Sequence, residues 1–204
     1  GKTKTALSIY AKESLRTLVF GCKKVENFST SNIDQIESDL QLMGCVGTED
    51  RLQEGVPGSI CRLRLAGIAI WMITGDKLET AVEIAKSANL IGAGMHIRIV
   101  DIGDDESPQM DEDESEKNNN ECIVITGRSI RFLKQNAKLM DTLLTARSVV
   151  VCRATKDQKA LVVSLVQAQV RDVLTLAIGD GANDVPMIKQ AHVGVAVLGK
   201  EGRQ

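Results

Sequence analysis

The 204-residue sequence has few aromatic residues, 2% of the chain, with Trp71 the only tryptophan and Tyr10 the only tyrosine. It has no basic excess: the net charge of -2 gives no support for a nucleic-acid partner. Its two histidines, His96 and His192, lie far apart in sequence, which argues against a zinc site. Its five cysteines, at 22, 45, 61, 122 and 152, form no Cys-x-x-Cys pair and are odd in number, so reduced thiols are expected rather than a disulfide framework. The longest apolar stretches, Leu65–Ile73 and Val173–Ile178, are too short to span a bilayer, and the start does not read as a signal peptide. The chain reads as soluble, without an internal repeat, and long enough for one substantial core or for one domain plus part of another.

What is present is organised around residues 174–188. Leu174–Ile178 is a short apolar run, the pattern of a buried strand. Gly179 and Gly181 break it. A helix then begins, with Asn183 or Asp184 as cap and Pro186 in its first turn. A strand–turn–helix of this kind puts the turn at the carboxyl edge of an α/β sheet, where such folds bind ligands. Asp180, Asn183 and Asp184 offer hard oxygens there, which suit Mg²⁺ when a phosphate shares the ion. The competing reading is a turn whose side chains only cap a helix.

The remaining chain reads as follows. Residues 3–13 are expected to be helical and Leu15–Cys22 a strand. Asn27–Asn32 is turn-like, and Ile33, Ile36 and Leu40 have helical spacing behind a Ser31 or Asn32 cap. A domain boundary is placed near Asp39. From there the pattern is α/β: a strand at Leu40–Val46, a helix over about 54–66 with Ile60, Leu63 and Leu65 inward, and a strand at Ile68–Ile73. A helix over 77–88 presents Ala81, Ile84, Ala85 and Ala88 on one face. Strands follow at Ile97–Val100, Ile123–Thr126, Val149–Val151 and Val193–Val197, with one or two helices over 128–146 and another over 156–169. This alternation predicts a mostly parallel sheet covered on both faces. Residues 101–121 hold ten carboxylates and one lysine, too polar to offset their ordering entropy, and read as a surface loop. They lack the spacing of a calcium loop.

Three strand-to-helix turns carry polar chemistry. Thr74-Gly75-Asp76 supplies a hydroxyl and a backbone N–H at a helix start, a phosphate-binding arrangement or a plain cap. Lys159, in the first turn of its helix after Cys152-Arg153, is either a cation for a phosphoryl group or a solvated surface lysine. The Asp180/Asn183/Asp184 turn is the third. Together they provide parts that phosphoryl transfer requires, but none presents an obvious nucleophile.

Ile73-Thr74-Gly75-Asp76-Lys77 with Glu79-Thr80-Ala81, and Ala177–Asp184, resemble the P-type ATPases. Ser14–Leu18, Glu49–Gln53, Cys152-Arg153 with Gln158-Lys159, and Ala191–Val195 resemble the type IV branch, the phospholipid flippases. The resemblance implies a haloacid-dehalogenase-like, Rossmannoid three-layer phosphorylation domain over 40–204, preceded at 1–39 by the end of an α+β nucleotide-binding domain. It implies that Asp180 holds Mg²⁺ with Asp184 and Asn183 in support. Thr74 would bind phosphoryl oxygens, Gly75 and Asp76 would shape the same edge, and Lys159 would stabilise the phosphoryl charge. Arg153 joins the phosphate-binding residues and Asp50 a nucleotide-facing hinge.

The implied whole protein is a multi-pass, ATP-driven membrane transporter using ATP and Mg²⁺, with this part on the cytoplasmic side, phospholipid as substrate and an accessory subunit as partner. The chain departs from the pattern at Lys156, Leu78 and Pro186, where proline, glutamine and serine are usual. It also has no Asp-Lys-Thr-Gly-Thr motif, the family's phosphorylated aspartate. It is therefore expected to be a fragment, inactive alone, whose missing central strand leaves edges open to strand exchange, dimerisation, rearrangement or a filling partner. The alternatives are a soluble phosphatase of the same superfamily, a non-catalytic interaction module that docks a basic partner, and a P-type cation pump.

Overall fold

The computed structural model describes residues 2–12, 15–25, 37–48, 52–103 and 120–197. The chain divides into two compact units, 1–52 and 53–204.

In the first unit, helix α1 (Lys2–Lys12) precedes strand β1 (Arg16–Cys22), which pairs antiparallel with β2 (Gln41–Thr48) across a bulge at Phe20/Gly21. Gly47 lies so close to α1 that a Cβ there would meet Tyr10 at 3.0 Å and Leu15 at 2.9 Å. The boundary expected near Asp39 falls between β1 and β2, and the division lies after Leu52 instead. The helical spacing through Ile33 and Ile36 lies outside the described residues, as do Ser14 and the stretch 49–51 with the candidate Asp50.

The second unit contains β3 (Trp71–Ile73), β4 (His96–Val100), β5 (Glu121–Thr126) and β6 (Ser148–Cys152), all parallel in the order β3-β6-β5-β4. Alternate residues of β5 and β6 face opposite layers, as the period of two requires. Ile123, Ile125, Val149 and Val151 pack with the 3-10 helix Gly127–Lys134, helix α4 (Ala137–Thr145) and helix α5 (Lys156–Gln169) through Ile130, Leu143 and Val162. Cys122, Val124, Val150 and Cys152 pack on the other side with Ala81, Ala85 and Leu90 from helix α3 (Leu78–Ser87) and the segment after it. The result is a three-layer α/β arrangement. Strands β7 (Leu176–Gly179) and β8 (Val193–Ala196) form a separate parallel pair joined through helix α6 (Val185–Gln190). Where one sheet was expected there are two: among the described residues β3 pairs only with β6, and β7 only with β8.

Helix α2 (Val56–Leu65) starts after Gly55, which has a positive φ of 84°, with Pro57 in its first turn. Of its three expected inward residues only Ile60 joins a core; Leu63 is exposed and Leu65 is 84% exposed. The strand expected at Ile68–Ile73 shortens to three residues because Gly67 turns the chain at a φ of 78° and the Ile68 N–H donates back to the Leu63 carbonyl. The ends of the acidic stretch are built into the fold. Asp101 accepts hydrogen bonds from Thr126 Oγ1 and Arg128 Nε, each at 2.6 Å, and Glu121 opens β5. The hydrogen bond from Arg128, reinforced by that from Thr126, holds the Asp101 carboxyl below the usual carboxylate range.

The five cysteines are free thiols, with Cys122 and Cys152 buried and Cys22 and Cys61 exposed. Burial pushes the Cys152 thiol up and that of Cys122 up to about 11. At neutral pH a thiol reagent is expected to label Cys22 and Cys61 quickly, and Cys122 only as fast as the fold opens. Equal rates at Cys22 and Cys122, read by peptide mass spectrometry, would contradict this. Because the folded state keeps the Cys122 proton up to about 11, its contribution to stability is full below the ordinary thiol value and is lost as pH rises through that window.

Candidate functional site

The first candidate turn follows β3. The Thr74 N–H continues the sheet, donating to the Val151 carbonyl at 2.8 Å. It is therefore committed to β6 rather than held at a helix start, since α3 begins four residues later with Lys77 as its cap residue. The Thr74 hydroxyl donates to Asp76 Oδ2 at 2.7 Å and accepts from the Asp76 N–H at 3.1 Å, closing the turn on itself. The amide is committed to the sheet and the single hydroxyl proton to Asp76, so a ligand recruits the hydroxyl only by taking that proton's hydrogen bond from Asp76.

The second turn follows β6. Arg153 has a φ of 52°, a sparsely populated conformation for a side-chain-bearing residue. That twist aims two backbone donors at the first turn: the Arg153 N–H reaches the Asp76 carbonyl at 2.8 Å and the Ala154 N–H reaches the Thr74 carbonyl at 3.0 Å. Gly75 lies at the same junction, where a Cβ would sit 3.5 Å from the Ala154 carbonyl oxygen. Helix α5 then opens with a capping box between Thr155 and Gln158. The pattern Thr-Lys-Asp-Gln, residues 155–158, is the sequence signature by which that device can be found.

Lys159 comes next. It is not a solvated surface lysine: it is 9% exposed, and its Nζ donates to Asp184 Oδ1 at 2.7 Å. Asp184 closes the 3-10 turn Ala182–Asp184 after β7 and is itself 9% exposed. Its side chain makes no cap to α6; Oδ2 accepts from the Gly181 N–H at 3.3 Å. Gly179 permits this arrangement, because a Cβ there would fall on the Asp184 side chain. Both Asp184 oxygens thus have protein partners.

Asp180 and Asn183 lie beside it on the exposed side of the turn. No group of three or more His, Cys, Asp or Glu gathers for a metal among the described residues. The donor chemistry that fits Mg²⁺ is the exposed Asp180 carboxylate, since that ion often takes one or two carboxylates, keeps its waters and shares a phosphate. The geometry joins the Thr74 and Arg153 turns, and it joins Lys159 to Asp184.

A family model described as P-type ATPase, cytoplasmic domain N, matches residues 1–55, and one described as haloacid dehalogenase-like hydrolase matches 155–200. Phospholipid-transporting ATPase 1 of Arabidopsis thaliana is 36% identical over 100% of this chain. Phospholipid-transporting ATPase NEO1 of Saccharomyces cerevisiae is 40% identical over 95% of it, and phospholipid-transporting ATPase VD of Macaca fascicularis is 37% identical over 100%. The chain spans 20%, 19% and 36% of those proteins respectively. No helix among the described residues is long and apolar enough to cross a membrane. With the second unit folded as a three-layer α/β domain and relatives aligned along its whole length, the chain belongs to the P-type ATPase family, in its type IV branch.

Proposed function

We propose that the chain is the cytoplasmic phosphoryl-handling part of an ATP-driven transporter that moves phospholipid between membrane leaflets. The observation that carries this reading is the buried Lys159–Asp184 pair beside the exposed Asp180, at the end of β7. A lysine held out of bulk water by a carboxylate is a preorganised charge, suited to an oxyanion that develops during transfer. The relatives' names supply the cargo.

In this reading the first unit, 1–52, is the end of a nucleotide-binding domain and the second, 53–204, is the phosphorylation domain. The phosphorylated aspartate stands on a strand outside this sequence. Lys159 neutralises the phosphoryl group, Asp184 keeps the lysine in place, and the Thr74 hydroxyl donates to a phosphoryl oxygen. Gly75, Asp76 and Arg153 hold the edge on which that group rests. Asp180 holds Mg²⁺, with Asn183 and Asp184 in support. When bound, the ion neutralises charge on the phosphate oxygens. An accessory subunit and the membrane-embedded cargo path belong to the rest of the transporter.

The test uses a polypeptide of the relatives' full length that carries this chain. In proteoliposomes, Asp180→Ala is expected to lower both Mg²⁺-dependent ATP hydrolysis and movement of a labelled phospholipid by about a hundredfold or more. The 204-residue chain alone is expected not to turn over ATP. Mg²⁺-dependent ATP hydrolysis by that chain alone, abolished by Asp180→Ala, would overturn the reading. Hydrolysis of a generic aryl phosphate by the chain alone would instead favour the soluble phosphatase reading.

A further inference from the structure

Four contacts converge at the start of α5. The Gln158 side-chain carbonyl accepts from the Thr155 N–H at 2.9 Å, and Thr155 Oγ1 accepts from the Gln158 N–H at 3.3 Å. Gly127, where the 3-10 helix after β5 begins, is in contact with the same place: a Cβ on it would lie 2.7 Å from Gln158 Oε1 and would also fall on the Arg153 carbonyl oxygen. Lys159 directly follows Gln158 and reaches Asp184 at 2.7 Å. A capping box needs only the pair within its own helix. Here one member is also clamped from outside, by a backbone that approaches because residue 127 has no side chain.

We propose that Gln158, seated against Gly127, is a positioning residue for Lys159. Its side chain fixes the rotation of the first turn of α5 and thereby the reach of the ammonium to Asp184. The lysine needs this support. An unbranched side chain with four rotatable carbons has many rotamers, and a single hydrogen bond to Asp184 does not define the direction from which it comes. The Thr155–Gln158 box sets that direction from the backbone side. This role rests on the reading of Lys159 as the phosphoryl-neutralising cation, although the positioning itself is measured without any turnover.

The test is the reactivity of Lys159 toward reductive methylation in the 204-residue chain, quantified by peptide mass spectrometry and normalised to the exposed Lys134 of the same sample. Gln158→Ala is expected to raise the relative reactivity of Lys159 about fivefold, the fraction of open first turns that loss of such a box allows. Gln158→Glu preserves the box and is expected to retain the native reactivity. Gly127→Ala, whose Cβ would also fall on the Arg153 carbonyl oxygen, should raise the ratio at least as much as Gln158→Ala does. Leu90→Ala, which opens the core on the opposite face of the sheet, serves as a control for general destabilisation and should leave the Lys159 ratio unchanged well below its melting temperature.

An unchanged ratio in Gln158→Ala would overturn the proposal, and so would an equal rise in Leu90→Ala. The functional reading is separated by assaying the same variants in the full-length polypeptide. A raised ratio with unaltered ATP turnover would leave positioning intact and remove Lys159 from the chemistry. A raised ratio with kcat lowered and KM for ATP unchanged supports both.

Discussion

Lys159→Ala is expected to lower ATP turnover about a hundred- to a thousandfold in a full-length polypeptide carrying this chain, and to cost the isolated fold about 3–5 kcal/mol. The two losses have different origins. Turnover falls because the preorganised cation is gone from the place where phosphoryl charge develops. Stability falls because Asp184, 9% exposed, keeps one bond from the Gly181 N–H and loses its counter-ion. Water does not readily replace that partner, so the carboxylate is left buried without a compensating charge. A second substitution separates the effects. Lys159→Ala combined with Asp184→Ala removes the uncompensated charge and should recover part of the stability, measured by urea denaturation, while turnover stays low. If Lys159→Ala alone melts like the unsubstituted chain, the ion pair contributes nothing to the fold.

The second large effect is in the core. Ile125→Ala should destabilise the second unit by about 2–5 kcal/mol, a large share of the roughly 5–15 kcal/mol typical of a folded domain. Ile125 is 0% exposed and lies on β5 between Val100 of β4 and Val151 of β6, in register with both. Ladder bonds hold the strand on its two sides, and Ile130 and Leu143 cap the same layer. The backbone cannot collapse into the space left by three carbons, so the cavity term adds to the transfer term. The urea midpoint should fall with the slope unchanged. Val193→Ala on the exposed β8 is the comparison, expected within about 0.5 kcal/mol. Similar losses at both positions would mean that β5 is not the centre of this unit's core.

These contrasts also show what the sequence revealed. The second-layer pattern was legible because it is local. The near-continuous apolar runs Ile123–Thr126 and Val149–Val151 read as strands covered on both faces and are buried at every position, and the small-residue face Ala81, Ala85 and Ala88 states a helical period that burial obeys. The glycines at 179 and 181 and the carboxylates beside them marked the strand end. Hidden from that reading were features that depend on distant partners. Leu65 has the apolarity of an inward residue and is 84% exposed, because which face of α2 is covered depends on what packs there rather than on its own spacing. Whether Asp184 caps a helix or accepts a lysine cannot be read from Asp-Val-Pro, since the lysine stands 25 residues away. The Thr74 amide looked available until β6 took it. Asp101 looked like the first residue of an acidic loop and is instead tied to Arg128 on the next strand's exit.

The two bonds between the Thr74–Asp76 and Arg153–Ala154 turns have backbone donors and backbone acceptors only. No side-chain replacement deletes them. An alanine scan could test every polar group along this edge and still score the link between its two turns as silent. What that scan attributed to Thr74 or Arg153 would describe their side chains and leave the main-chain link between the turns unmeasured. The coupling can be exposed by altering the chain itself: proline at 153 or 154, which removes the donor, or an ester bond in place of the amide there.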